Sequence, residues 1–100
     1  MKKFLATVVL LFGAASAAQA AVVMPKGDAA AGQGKAAACG ACHGMDGNSA
    51  APTFPKLAGQ NAKYIYKQLQ DFKSGRRGNP IMMGMAMPLA DQDMADLAAY

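Results

Sequence analysis

The sequence has few of the residues from which most metal and redox sites are built. Its 100 residues include two cysteines, one histidine and no glutamate, so all six acidic residues are aspartates. No stretch alternates apolar and polar residues over a useful length, which argues against a β-sheet. No internal repeat is present, and no dense basic stripe indicates a nucleic-acid binder. The chemistry of this chain must therefore depend on a small number of side chains.

The first twenty residues have the features of a secretory signal peptide. A basic start (KK) precedes the apolar run 4–12 (FLATVVLLF), and the small residues at 18–20 (AQA) form a cleavage pattern. This apolar run of nine residues is shorter than the roughly 20 that a membrane-spanning helix needs. We therefore predict a signal peptide over residues 1–20, a mature domain over residues 21–100 in the periplasm, and no membrane span after cleavage.

The mature piece is small and only mildly basic. Residues 21–100 contain eight lysines and arginines against six aspartates, which gives a net charge of +2. A domain of this size buries little apolar surface, and its stability usually depends on a disulfide, a metal or another cross-link. The mild charge suits weak docking on an acidic partner, and export would place both cysteines in an oxidising compartment.

The pattern predicts a helix in the first part of this domain. Asp28 can cap a helix over residues 29–42, where alanine dominates. Gly32 and Gly34 weaken that helix, and we interpret them as sites where another segment approaches closely. Residues 44–59 are rich in glycine, proline, asparagine and serine, and are predicted to form a loop.

Two further helices are predicted downstream. Asn61 can cap a helix over residues 62–74, and Gly75 would end it. A basic turn follows. We expect the methionine-rich segment 82–88 (MMGMAMP) to be apolar and irregular. Residues 91–100 are predicted to form the third helix. The predicted inward-facing side chains are Ile65, Leu69, Phe72, Met94, Leu97 and Ala98.

Both cysteines and the histidine lie within five consecutive positions, Cys39 to His43 (CGACH). Four interpretations compete: a structural disulfide, a thioredoxin-like dithiol, a zinc site and covalent haem attachment. Such a dithiol opens a helix after a strand, and zinc usually needs four ligands, whereas only three Cys and His residues are present. Residues three apart share one helical face, so both sulfurs can reach the vinyl groups of a porphyrin while His43 binds its iron. The spacing favours haem.

Because several separated motifs occur in the family's order along the chain, the sequence resembles the class I c-type cytochromes over residues 26–100. The matching segments are KGDAAAGQGKAAACGACHGMDGNSAAPTFPKLAGQ, YIYKQLQDFKSGRR and MMGMAMPLADQDMADLAAY. It is most similar to one haem domain of the bacterial periplasmic dihaem "c-four" type and to small monohaem carriers. The resemblance implies an all-α, small class I cytochrome c fold, with three or more helices around one haem c and its iron. Only one Cys-x-x-Cys-His is present, so a second haem would need a continuation past Tyr100.

The resemblance also implies roles for individual residues on one side of the haem. Cys39 and Cys42 match the cysteines that form the two thioether bonds, and His43 matches the proximal iron ligand. Pro55 matches the proline whose carbonyl accepts a hydrogen bond from the imidazole, a contact that orients the ligand and makes it more basic.

A methionine is implied as the second axial ligand. In the family it lies seven residues before the leucine that leads into the last helix, which gives Met82 in this sequence. The neighbouring Met83 and Met85 are the fallback candidates. A thioether ligand opposite histidine raises the reduction potential of cytochromes c.

Two side-chain ligands would leave no open position on the iron, so electron transfer is expected rather than catalysis. The resemblance implies one-electron shuttling between redox partners, either membrane respiratory complexes or periplasmic reductases and oxidases, through transient docking. A catalytic or gas-binding haem protein, the rival class, would lack the methionine ligand. Apolar residues expected to bury the ring are Phe54, Leu57, Ile65, Leu69, Phe72, Ile81 and Leu97. Basic residues that could form a docking rim are Lys35, Lys56, Lys63, Lys67, Lys73, Arg76 and Arg77.

Overall fold

The computed structural model describes residue 13 and residues 22–100 of the chain. Apart from Gly13, the predicted signal peptide over residues 1–20 lies outside the described residues. The helices are α1 (Ala29–Lys35), α2 (Ala37–His43), α3 (Ala62–Ser74), α4 (Pro80–Ala86) and α5 (Asp91–Ala99). No strand occurs within the described ranges, which confirms the all-α prediction. None of the helices described there has the length and apolar character needed to cross a membrane.

The helix predicted over residues 29–42 is interrupted in its middle. The Asp28 carboxylate accepts hydrogen bonds from the backbone N–H groups of Ala30 at 2.9 Å and Ala31 at 3.2 Å, so the predicted cap is present. The chain turns at Ala36, where α1 gives way to α2. As a result, the segment that carries the cysteines is a separate short helix packed against α1.

Helix α1 lies in backbone contact with α5, and Gly32 makes this possible. A Cβ atom added at Gly32 would lie 2.0 Å from the backbone oxygen of Asp96, which is far inside contact distance. The predicted close approach is therefore confirmed at Gly32. The same prediction is wrong for Gly34, because its side of α1 faces away from α5 and no atom lies within 4 Å of an added Cβ.

A buried aspartate that the sequence pattern did not predict joins α1 to α5. The Asp96 carboxylate accepts hydrogen bonds from Lys35 Nζ at 2.6 Å, from the Asp28 N–H at 2.9 Å and from Gln92 Nε2 at 2.8 Å. The Lys35 contact, followed by the Asp28 amide and Gln92, lowers the pKa of Asp96 to about 2. Lys35 also pairs with Asp93 at 2.7 Å. This lysine, predicted as part of a docking rim, is instead held in an ion cluster.

Helix α3 has the predicted bounds and separates a small core from a cavity. Asn61 Oδ1 accepts a hydrogen bond from the Tyr64 N–H at 3.2 Å, and Gly75 ends the helix in the left-handed region at φ 78°. On one side of α3, Tyr66 packs with Met94 and Ala95 of α5 in the buried core. The predicted apolar stripe lines the cavity, and its Leu69 also packs against the core.

The methionine-rich segment is helical, which corrects the prediction of an irregular segment. The Asn79 side chain accepts hydrogen bonds from the N–H groups of Ile81 at 3.1 Å and Met82 at 3.0 Å. Pro80 occupies the first helical turn, where its missing N–H is harmless. An asparagine cap followed by proline is a helix-start signal, and it outweighs the irregular composition of the segment. Helix α4 packs against α3.

Candidate cofactor site

A cavity of about 1080 Å³ lies among α2, the loop over residues 44–59, α3, α4 and the end of α5. This volume is slightly above the roughly 300–1,000 Å³ typical of small-molecule sites. All seven apolar residues expected to bury a ring line it: Phe54, Leu57, Ile65, Leu69, Phe72, Ile81 and Leu97. The cavity can therefore enclose a large apolar group such as a porphyrin.

Both cysteines line the cavity, one helical turn apart on α2. Cys39 is partly buried and Cys42 is exposed, and neither thiol is joined to another. Burial raises the pKa of the Cys39 thiol. Within residues 22–100 no three His, Cys, Asp or Glu side chains are grouped so as to hold a metal ion directly, so the zinc interpretation gains no support.

The histidine is held by two residues of the loop that follows α2. His43 ends α2, is 7 % exposed, and places Nδ1 2.8 Å from the carbonyl oxygen of Pro55. A carbonyl oxygen can only accept, so Nδ1 is the donor in this contact, and in the neutral imidazole Nε2 then has the lone pair that can bind a metal. The Phe54 ring meets the imidazole edge to face, with ring centroids 6.5 Å apart. These contacts leave the imidazole little freedom to rotate.

The loop after α2 is folded back so that Pro55 reaches the histidine. Gly44, at φ 84°, allows the chain to leave α2 directly after His43. Further along, the Gly47 carbonyl accepts hydrogen bonds from the N–H groups of Leu57 at 2.8 Å and Ala58 at 3.1 Å. This closure brings a residue twelve positions after the histidine to its ring nitrogen.

The structure brings two of the three candidate methionine ligands to the cavity. Met82 and Met85 on α4 line it, together with Met45 from the loop. Met83 is not among the lining residues and is 41 % exposed. The cavity thus has His43 on α2 and two thioethers on α4, a pairing that suits iron held in a porphyrin.

Arg77 also lines the cavity, although the sequence pattern placed it only in a surface rim. Its Nη1 donates a hydrogen bond to Gln68 Oε1 at 2.8 Å, and its guanidinium carbon lies 4.6 Å from the centroid of the Phe72 ring. Phe72 belongs to the predicted apolar stripe, so an arginine close after the end of α3 could have been assigned to the same face. Sequence spacing alone does not show whether the chain folds back after Gly75.

Comparison with known proteins agrees with this arrangement. The family model described as Cytochrome c matches residues 29–100. The chain is 55 % identical over 100 residues to cytochrome c4 of Pseudomonas aeruginosa, covering 100 % of this chain and 47 % of that protein. It is 48 % identical over 77 residues to cytochrome c-554(548) of Halomonas halodenitrificans, covering 74 % of this chain and 93 % of that protein.

A solved structure shows the same fold. The crystal structure of reduced recombinant cytochrome c4 from Pseudomonas stutzeri superposes with a TM-score of 0.70 at 59 % identity, over 74 % of this chain and 44 % of that one. This chain spans about half the length of the cytochrome c4 relatives that it matches. Because the family match extends over every helix of the domain, the chain belongs to the cytochrome c family, with a class I cytochrome c fold, haem c as its cofactor and electron transfer as the family's activity.

Proposed function

We propose that this chain is a periplasmic electron carrier that holds one haem c. Cys39 and Cys42 would form the two thioether bonds, and His43 and Met82 would be the axial ligands. The observation that carries the proposal is that the Cys-x-x-Cys-His helix and the Pro55-bound imidazole border one large apolar cavity. When bound, the haem supplies the one-electron couple of its iron.

Each side chain of the motif has a separate task in this proposal. Cys39 and Cys42 fix the ring to one face of α2. The Pro55 carbonyl holds the proton on His43 Nδ1, which keeps Nε2 as the ligand atom and increases its basicity. The seven apolar residues of the cavity exclude water, and this low-dielectric setting contributes to the reduction potential.

Met82 is supported as the second ligand by its place in the structure. It lies in the first turn of α4, and its backbone N–H is bound by the Asn79 cap at 3.0 Å. Met85 lies one turn later and also borders the cavity, whereas Met83 does not. With two side-chain ligands the iron would have no open position, which favours a carrier over an enzyme.

The partners are proposed to be redox proteins met through short-lived contacts. Residues 1–20 would direct export, and residues 21–100 would form the haem domain in the periplasm. Of the predicted docking rim, Lys35 and Lys67 are held in ion pairs with aspartates. Lys56, Lys63 and Arg76 are exposed and have no ion pair within residues 22–100, so they are the better candidates for steering toward an acidic partner.

The proposal is tested on protein produced in a periplasm whose cells can mature cytochromes. We expect a mass increase equal to one haem, a reduced haem spectrum, and no change of that spectrum under carbon monoxide. Colourless protein at the mass of the bare polypeptide would overturn the whole assignment. A haem spectrum that shifts under carbon monoxide would retain the haem and overturn the carrier assignment.

The choice of methionine needs three matched variants. In the oxidised protein, methionine bound to iron gives a weak absorption band near the red end of the spectrum. Met82→Ala should abolish this band, whereas Met83→Ala and Met85→Ala should keep it. Loss of the band in Met85→Ala with retention in Met82→Ala would transfer the ligand role to Met85.

A further inference from the structure

A lysine of α3 binds the segment that joins α4 to α5. Lys73 lies in the last turn of α3 and is half-buried, and its Nζ donates a hydrogen bond to the carbonyl oxygen of Leu89. It forms no ion pair with a carboxylate within residues 22–100. The sequence pattern placed this lysine in a docking rim, but its ammonium group is engaged with the protein's own backbone.

This contact is unique at the interface of α3 with the methionine-bearing part of the chain. Among the described residues, it is the only hydrogen bond that joins α3 to residues 80–90. The other lysine of α3 with a hydrogen bond, Lys67, pairs with Asp71 of the same helix at 2.6 Å. The rest of the interface between α3 and α4 is therefore van der Waals packing.

The link over residues 87–90 is bonded to the helices on both of its sides. The Leu89 N–H donates to the Ala86 carbonyl oxygen at 3.1 Å, and the Ala90 N–H donates to the Asp93 carboxylate at 2.8 Å. The Leu89 side chain packs against the buried core. Because the link is bonded to the end of α4 and to the start of α5, a shift of the link would move the end of α4 with it.

A shift of α4 would reach the cofactor cavity. Met82 of α4 lines the cavity and lies seven residues before Leu89. On α3, Phe72 also lines the cavity and directly precedes Lys73. The lysine thus ties the cavity wall that α3 provides to the helix that carries the candidate thioether ligand.

The surroundings of the ammonium group favour this contact. Asp91 lines the same shallow cleft as Lys73, yet its carboxylate is not within ion-pairing distance. A half-buried ammonium that lost its acceptor would be left partly desolvated and unpaired, which is costly. A hydrogen bond from a charged donor also contributes more to stability than one between neutral groups. The Leu89 carbonyl is therefore the acceptor that keeps this side chain in place.

We propose that Lys73 is a positioning residue that holds α4, and with it Met82, in place beside the haem. This inference rests on the proposed function, because it needs the haem to be bound with Met82 as a ligand. Loss of the contact would let α4 withdraw more often, so the thioether would leave the iron in a larger fraction of molecules. The residue acts from outside the cavity and touches neither ligand.

The test uses the oxidised holoprotein and imidazole, a small ligand that binds the iron only when the methionine has left it. The apparent Kd for imidazole is the intrinsic Kd divided by the fraction of molecules in the open state. Lys73→Met keeps most of the side-chain length and loses the donor. Its apparent Kd should fall about 3- to 10-fold, as expected from the usual net strength of a hydrogen bond. The weak methionine–iron band should also disappear at a lower temperature than in the wild type.

Three matched variants separate position from charge. Lys67→Met removes the same charge from the same helix, but the bond it removes lies within α3, so it should bind imidazole like the wild type. Lys73→Arg keeps a charged donor of similar reach and should restore the Kd to within about twofold of the wild type. Lys73→Gln is neutral and one bond shorter, and as a second removal of the contact it should behave like Lys73→Met. Urea unfolding of each variant measures global stability separately.

Each outcome decides between the proposals. If Lys73→Met and Lys73→Gln lower the urea midpoint but leave the imidazole Kd unchanged, the lysine is only a structural contact and the positioning role is overturned. If Lys67→Met changes the Kd as much as Lys73→Met, the effect is one of charge, and the positioning role is again overturned. In both cases the carrier proposal stands, whereas wild-type protein without haem would overturn the carrier proposal itself.

Discussion

Replacing Gly32 by alanine should push α1 away from α5 and destabilise the protein. The new Cβ would lie 2.0 Å from the Asp96 backbone oxygen and 3.0 Å from the Tyr100 Cβ. Ordinary contact begins near 3.4 Å, so the carbonyl must retreat by about 1.4 Å, and a helix backbone cannot do this alone. Overpacking of this kind costs about 1–3 kcal/mol, against a gain of about 1 kcal/mol for alanine over glycine in a helix. The shift would also strain the Lys35 contact with Asp96.

The same helix contains the control, because Gly34 has open space where its Cβ would be. We expect Gly32→Ala to lower the free energy of unfolding by up to about 2 kcal/mol and Gly34→Ala to leave it unchanged or raise it by up to about 1 kcal/mol. For a domain of this size each kcal/mol corresponds to about 4–8 °C in Tm. Thermal and urea unfolding of the holoprotein, followed by circular dichroism, measure both values. If Gly32→Ala is as stable as Gly34→Ala, the backbone contact does not contribute as described.

Two other predictions concern side chains that hold helices in place. Asp96→Asn should destabilise the protein at neutral pH, because the pKa of Asp96 is about 2 in the folded state against an ordinary 3.8 and its ionised form is the bound one. The difference from wild type should disappear as pH falls from 3.8 toward about 2, and a gap that persists unchanged in urea titrations there would contradict the ion-cluster reasoning. Asn79→Ala removes the cap of α4 and should cost about 1 kcal/mol, whereas Asn79→Asp, which keeps an acceptor, should cost less. Equal urea midpoints for the two Asn79 variants would show that the cap bonds are unimportant.

The parts of the fold that could be predicted are those fixed by neighbours in sequence. Asp28 and Asn61 cap helices within three residues of themselves, and Gly75 ends α3 through its own φ angle. Such signals act over a few positions and need no knowledge of tertiary structure. The start of α4 was of this type as well. The Asn79–Pro80 pair is a local helix-start signal, whereas the methionine-rich composition after it predicts an irregular segment.

The parts that could not be predicted depend on which helices meet. An aspartate such as Asp96 is usually found at the surface. It is buried and ion-paired here because α1 packs against α5 and brings Asp28 and Lys35 to its carboxylate. Gly32 and Gly34 are equivalent in a linear pattern, yet only one faces α5. Likewise, the stripe on α3 was correctly predicted to face inward and to surround the ring, but spacing alone does not show that Leu69 also packs against the core.

For the candidate site, the motif was informative because its chemistry is local. Five consecutive residues fix the positions of two sulfurs and one imidazole on a single short helix. The contact of Pro55 with His43 could be predicted only from the family resemblance, because a contact between residues twelve positions apart depends on the shape of the loop. The position of the Arg77 side chain depends on the direction in which the chain continues after Gly75. Charge alone placed it in the rim, and its stacking on Phe72 became evident only in three dimensions.

The packing of α1 against α5 has a consequence for the order in which the parts of the protein fold after synthesis. Asp28 and Asp96 are 68 positions apart, so their contact cannot form until nearly all of residues 22–100 have left the ribosome and, with the proposed export, have crossed the membrane. Until then the short helix with Cys39 and Cys42 lacks the support that α5 gives to its neighbour. A porphyrin attached before that point would meet a cavity without the wall that the end of α5 supplies, and docking of α5 would complete the enclosure.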